Sequence, residues 1–144
     1  MKLTPFSPEY LPQVLSLVVD NLESMAGFLP IREPAMDRLE TMLLDASELL
    51  LAWDGKACMG FIWLEVRGKS LFVQALAVDD QHKRQGAGQR LLARAFSLAC
   101  ERQLSSVSLE VRGDNHPMIR LVQSMGFYFS RSVGSVRFYE LPCP

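Results

Sequence analysis

The chain has 144 residues, 49 % of them hydrophobic and 22 % charged, the proportions of a globular domain with enough apolar surface for its own core. This predicts a single domain over residues 1–144 and argues against disorder or a multidomain machine. Fifteen basic against sixteen acidic residues leave a formal charge of -1, which excludes a broad basic surface for nucleic acid or anionic membrane.

Cys58, Cys100 and Cys143 form no CxxC pair and no ligand spacing with His82 or His116, so neither a disulfide framework nor a metal site is expected. The opening MKLTPFSPEYLP lacks the basic-then-apolar profile of a signal peptide, and no apolar run approaches the ~20 residues of a membrane span. The expectation is a cytoplasmic protein in a reducing compartment.

Lys2 to Phe6 reads as a short first strand. Ser7 then precedes Pro8-Glu9-Tyr10, a helix start, and Leu11, Val14, Leu15, Val18 and Leu22 recur at helical spacing. Gly27 and Pro30 interrupt this pattern, which ends the helix near Met25. A second helix is expected from around Glu33-Pro34, with Met36, Leu39, Leu43 and Leu44 as its buried face.

After Ala46 the period changes. Glu48 to Trp53 and Ala57 to Val66 read as strands joined by an Asp54-Gly55 hairpin turn, and Gly68 marks the next turn. Leu71 to Val78 is almost wholly apolar, as in a central strand covered on both faces. From Gly86 onward, Leu91, Leu92, Ala95, Phe96 and Ala99 form one stripe of a long amphipathic helix. Ser106 to Val111 alternates as a strand, Asn115 caps a short helix to about Met125, and Phe127 to Leu141 holds two strands parted near Gly134. This order predicts an α/β fold with a mixed sheet and helices on its faces.

The stretch from Val78 to Leu92 joins the buried strand to the long helix through a basic loop containing Lys83, Arg84, Gln85, Gly86, Ala87, Gly88 and Gln89. Glycines let backbone approach a ligand, and a helix N-terminus offers unpaired N–H groups and partial positive charge, so the loop suits phosphate. Gly86 and Gly88 would equally ease a tight turn. A dinucleotide GxGxxG and a P-loop GxxxxGK[ST] are both absent.

This segment resembles the R/Q-x-x-G-x-G/A signature of the GNAT (acyl-CoA N-acyltransferase) superfamily, with Lys83 at the Arg/Gln position. The run from Leu109-Glu110-Val111 through Asn115, Leu121 and Val122 to Gly126-Phe127 is similar to that family's second motif, L-E-V-x-x-x-N-x-x-A-x-x-L-Y-x-x-x-G-F. The resemblance implies a mixed sheet of about seven strands flanked by four helices. It also implies acetyl-CoA as cosubstrate, held by Lys83 to Gln89 and Asn115, with no metal. The fourth and fifth strands are then expected to splay, and the pantetheine arm to pair with backbone at Leu76, Ala77 and Val78.

Acetyl transfer needs a neutral amine, a stabilised oxyanion and a departing thiolate. An α-amino group of pKa near 8 is roughly a tenth neutral at pH 7, and a lysine amine far less, so a base matters. The resemblance makes Glu110 the leading base, although a strand glutamate alternating with Leu109 and Val111 also reads as an ordinary solvent-facing residue. Glu65 is a second choice. A backbone N–H near Leu76 or Ala77 would meet the oxyanion. Val122 stands where the family often carries the tyrosine that protonates the thiolate, leaving Tyr128, Ser124 or water as substitutes.

Arg120 is expected on the helix surface or near a cofactor phosphate, His82 and His116 in solvent-exposed loops, and Cys58 and Cys100 as core thiols. Acceptor specificity is assigned to the first two helices and their Met25–Pro30 connection, with Glu23, Glu33 and Asp37 nearby, and to the hairpin near Gly134. The resulting expectation is a monomeric or homodimeric enzyme that acetylates a primary amine of a small molecule or peptide. The alternatives are an acyl-CoA-binding regulatory module with weak or no catalysis, and a protein N-terminal or lysine acetyltransferase.

Overall fold

The structure, a computed structural model, describes residues 1–21, 36–46, 48–79, 82 and 85–144. Strand β1 (Lys2–Pro5) leads through a short turn of 3-10 helix at Pro8–Tyr10 into α1 (Leu11–Asn21), and α2 spans Met36–Leu44. Strands β2 (Glu48–Asp54), β3 (Ala57–Arg67) and β4 (Ser70–Val78) follow as an antiparallel meander. Then come α3 (Ala87–Glu101), β5 (Ser106–Arg112), α4 (His116–Ser124), β6 (Tyr128–Val133) and β7 (Val136–Pro142). The predicted helix boundaries near Met25 and at Glu33-Pro34 lie outside the described residues, as does the Met25–Pro30 connection.

The strands form a seven-stranded sheet in the order β1-β2-β3-β4-β5-β7-β6. All neighbours are antiparallel except β4 and β5, which are parallel and joined by the α3 crossover. The last strand inserts between β5 and β6, so β6 is left at the edge with its residues exposed. No helix among the described residues is long and apolar enough to cross a membrane.

Each sheet face carries its own core. On one, Leu71, Val73, Leu76, Val107, Leu109 and Val111 pack with Leu91, Leu92 and Ala95 of α3 and Ile119 and Val122 of α4. On the other, Phe61, Trp63, Ala75 and Ala77 pack with Val14, Leu17 and Val18 of α1 and Leu39 and Leu43 of α2. Burying each large aliphatic side chain contributes roughly 2 kcal/mol. Leu44, expected inside, is 48 % exposed, because one residue beyond Leu43 the helix has turned about 100° away from the sheet.

Two local features shape β4. The register with β3 runs from Trp63↔Ala75 to Leu64↔Val73 and leaves Gln74 unmatched, a bulge that re-aims the rest of the strand. Opposite its end, Gly60 is buried so tightly that an added Cβ would lie 2.5 Å from the Ala77 carbonyl oxygen and 3.2 Å from Val78 Cα. Gly60→Ala is therefore expected to destabilise the protein by about 1–3 kcal/mol, read as a lower urea midpoint. An unchanged midpoint would show that β4 is free to move away.

Candidate functional site

Strands β4 and β5 are paired only from Ser70↔Ser106 to Val73↔Leu109. Beyond that point β4 stays bonded to β3 alone and β5 to β7 alone, so the two strands part. The groups that β4 turns toward β5 there have no strand partner, which backbone in a fold's interior rarely tolerates without another ligand. The splay implied by the sequence resemblance is present.

A cavity of about 550 Å³ opens at this gap, a volume suited to a small-molecule ligand. Leu76, Ala77 and Val78 of β4 line it, together with Gly86, Ala87, Gly88 and Gln89 at the start of α3. From the α4 side come Asn115, Met118, Arg120, Leu121 and Ser124, and from α1 comes Asn21. Eight of the predicted binding residues thus meet around one space; Gln85 is exposed beside it, and Lys83 and Arg84 lie outside the described residues.

The loop geometry follows from a few bonds. The Asp79 N–H donates to the Met59 carbonyl at 2.7 Å and the His82 N–H to the Asp79 carbonyl at 2.9 Å, which turns the chain toward α3. Gly86 takes φ 85°, a left-handed conformation that favours glycine, and its carbonyl accepts the first helical bond from the Arg90 N–H at 2.9 Å. Ala87, Gly88 and Gln89 form the first turn of α3, and Gly86 at the cap position has no side chain with which to bond their N–H groups. They present partial positive charge at the cavity. Gly88 lets α3 approach α4, since a Cβ there would lie 3.0 Å from Leu121 Cδ2.

His82 departs from the expectation of an exposed loop residue. Its side chain is 14 % exposed, with Nδ1 3.3 Å from Asp79 Oδ2 and Nε2 3.9 Å from Asp54 Oδ2, so it links this loop to the β2–β3 turn. It also lines the cavity. His116 is exposed as expected. Asn115 caps α4, its Oδ1 accepting from the Met118 N–H at 3.3 Å.

Glu110 is the first β5 residue past the last β4 pair. It is half-buried and alternates with the buried Leu109 and Val111, so its carboxylate lies on the α1 side of the sheet. It is not among the residues lining the cavity. Glu65 pairs with Phe72, below the gap, and is bound to Arg67 at 3.3 Å.

The structure does not bring Tyr128 to this space. Tyr128 stands opposite Glu140, which stands opposite Ser108, three strands from β4 and level with the paired part of β4 and β5. At ~4.8 Å per strand this puts it roughly 14 Å from β4. Its exposed hydroxyl donates to Glu140 Oε2 at 2.9 Å, and this bond raises the phenol above its ordinary pKa and makes it a weaker acid. Val122, at the motif's tyrosine position, is fully buried in the core.

The thiols are free. Burial raises Cys58 despite its contact with the Gly60 carbonyl, and burial together with the neighbouring Cys100 thiol pushes Cys143 up to about 11. Cys58 and Cys100 are half-buried rather than fully enclosed. Sequence reasoning missed Asn21 in the cavity wall. The available signal was a polar residue on the apolar stripe of α1, one turn beyond Leu17 and Val18.

A family profile described as "Acetyltransferase (GNAT) family" matches residues 15–127. The chain belongs to this family. A mycothiol acetyltransferase of Clavibacter michiganensis subsp. michiganensis (strain NCPPB 382) is 37 % identical over 92 residues, which are 63 % of this chain. The match spans only 30 % of that relative's length.

Among solved structures, a ribosomal-protein-alanine N-acetyltransferase from Brucella melitensis has TM-score 0.79 at 19 % identity, covering 99 % of this chain and 100 % of that one. The PaiA N-acetyltransferase from Thermoplasma acidophilum, in complex with coenzyme A, has TM-score 0.81 at 15 % identity over 99 % and 100 %. These establish the GNAT fold of the sheet and its four helices. Replacing Asn115 by Ala is expected to cost about 1 kcal/mol through loss of the α4 cap, while Asn115→Asp keeps it. The two urea midpoints decide, and equal values would remove the cap from the account.

Proposed function

We propose that the chain is an acetyl-CoA-dependent N-acetyltransferase, with residues 1–144 as one catalytic domain that carries acetyl from the thioester to a primary amine by direct attack. The observation that carries this reading is the parting of β4 from β5 beside the glycine-capped start of α3. The N–H groups of Ala87, Gly88 and Gln89 suit the pyrophosphate, with Lys83 and Arg84 adding charge from the preceding loop. The free edge of Leu76 to Val78 suits the pantetheine amides, and a Leu76 or Ala77 N–H can meet the oxyanion.

Glu110 receives the amine proton, directly or through one water. The leaving thiol has an ordinary pKa of about 8.5, so it departs without the phenol that Val122 replaces. That replacement also favours a second reading, a binding module that holds the cofactor and turns it over slowly. The relatives' names point to different acceptors, one in mycothiol and one a ribosomal-protein alanine.

Thiol release from acetyl-CoA, measured over amines, polyamines, deacetylated mycothiol and alanine-terminated peptides, tests the reading. Amine-dependent release is expected. Glu110→Gln should lower kcat/KM about 100-fold while thermal stabilisation by acetyl-CoA persists, with the defect shrinking as rising pH supplies free amine. Gly86→Glu should abolish that stabilisation by placing bulk and negative charge at the phosphate site. Stabilisation without release from any amine would favour the binding module, and no stabilisation in the native protein would remove both readings.

A further inference from the structure

Cys100 and Cys143 are far apart in the chain and share one corner of the fold. Helix α3 ends at Glu101, and Gln103, at φ 60°, takes the left-handed conformation that reverses the chain, with the Leu104 N–H donating to the Ala99 carbonyl at 2.9 Å. This brings Ser105 back beside the last turn of the helix. Its carbonyl accepts from the Cys143 N–H at 2.8 Å, which draws the chain just beyond β7 to the same place.

The periods of the two elements then turn the side chains toward each other. Tyr139, Leu141 and Cys143 alternate onto the α3 side of the sheet and pack with its core. On α3, Cys100 follows Phe96 by one turn, and Phe96 packs against that same core. The two thiols meet in a hydrogen bond, and both are free and half-buried, so a small reagent reaches them. Cys58 packs against the core on the opposite face of the sheet, and neither Cys100 nor Cys143 lines the cavity.

We propose that Cys100 and Cys143 are a redox-modification site that closes to an intramolecular disulfide by exchange with a low-molecular-weight disulfide and reopens with a low-molecular-weight thiol. In closing, one protein thiolate attacks a sulfur of the small disulfide and displaces one small thiolate. The other protein thiol gives up its proton and attacks the protein sulfur of the mixed disulfide, displacing the second small thiolate. Two protein thiols are oxidised, one small disulfide is reduced to two thiols, and the two protons lost by the protein end on those thiols. Contact between Cys100 and Cys143 favours the second, intramolecular step over retention of the mixed disulfide.

The bond ties the end of α3, which packs on β4 and β5, to the end of β7, and encloses β5, α4 and β6 in one covalent loop. The β5 half of the sheet, paired to β4 over a short stretch only, is thereby braced against the helix. To test this, the whole chain is incubated with glutathione disulfide, thiols are counted after denaturation, and linked peptides are identified by mass spectrometry. The three free thiols are expected to fall to one, with Cys100 linked to Cys143, no glutathione retained and all three restored by dithiothreitol. Tm is expected to rise by about 5–10 °C on closure.

Cys58→Ser should close in the same way as the native chain. Cys143→Ser should instead retain glutathione on Cys100 and show no such rise in Tm. An unchanged thiol count in the native chain, glutathione retained on Cys100 or Cys143, or a bond to Cys58 or to a second chain would overturn the proposal. A Cys100–Cys143 bond without a rise in Tm would keep the modification site and overturn the bracing. All these outcomes are read without acetyl-CoA, so they stand apart from the acetyltransferase reading.

Discussion

Four register pairs between β4 and β5, from Ser70↔Ser106 to Val73↔Leu109, hold the two halves of the sheet together, and the chemistry depends on where they stop. Had the pairing continued, the ladder would have satisfied the β4 edge from Gln74 to Val78 and left no room for a ligand. The Gln74 bulge on one side and β7 on the other side of β5 hold the strands apart. Gly60 then presses the end of β4 into place, which fixes the cavity wall at Ala77 and Val78.

The second requirement is a source of positive potential that needs no charged side chain. The turn at Gly86 supplies it by starting α3 with a residue that has no side chain to cap the first-turn N–H groups. His82 steadies the approach to this turn by bridging Asp79 and Asp54. On the proposed reading the anion site is built mostly from backbone, which accommodates a lysine at the family's Arg/Gln position. A side chain at that point supplements the helix terminus rather than replacing it.

Much of the fold was legible in the sequence. The apolar run of β4, the stripe of α3, the Asn115 cap and the tight turns each announce themselves within a few residues, where local pattern and structure agree. The gap between β4 and β5 is different in kind. It depends on pairing between distant segments, so no periodicity reports it, and the expectation came from the two motifs and the family they resemble. Tyr128 was misplaced for the same reason: only the order of strands shows that it stands at the outer edge. The enclosure of His82 depends on Asp54, which the chain brings in from another hairpin.

The same four pairs also set an order of assembly. The meander β2-β3-β4 closes through tight hairpins, whereas Ser70 and Ser106 meet across 36 residues of chain. Closing so long a loop costs about 3 kcal/mol in chain entropy, and parallel pairing returns little until several bonds have formed. Helix α3, packed against both β4 and β5, must already be docked for that closure to succeed. The cleft therefore forms after its walls, and its seam is where the sheet separates most readily under thermal motion.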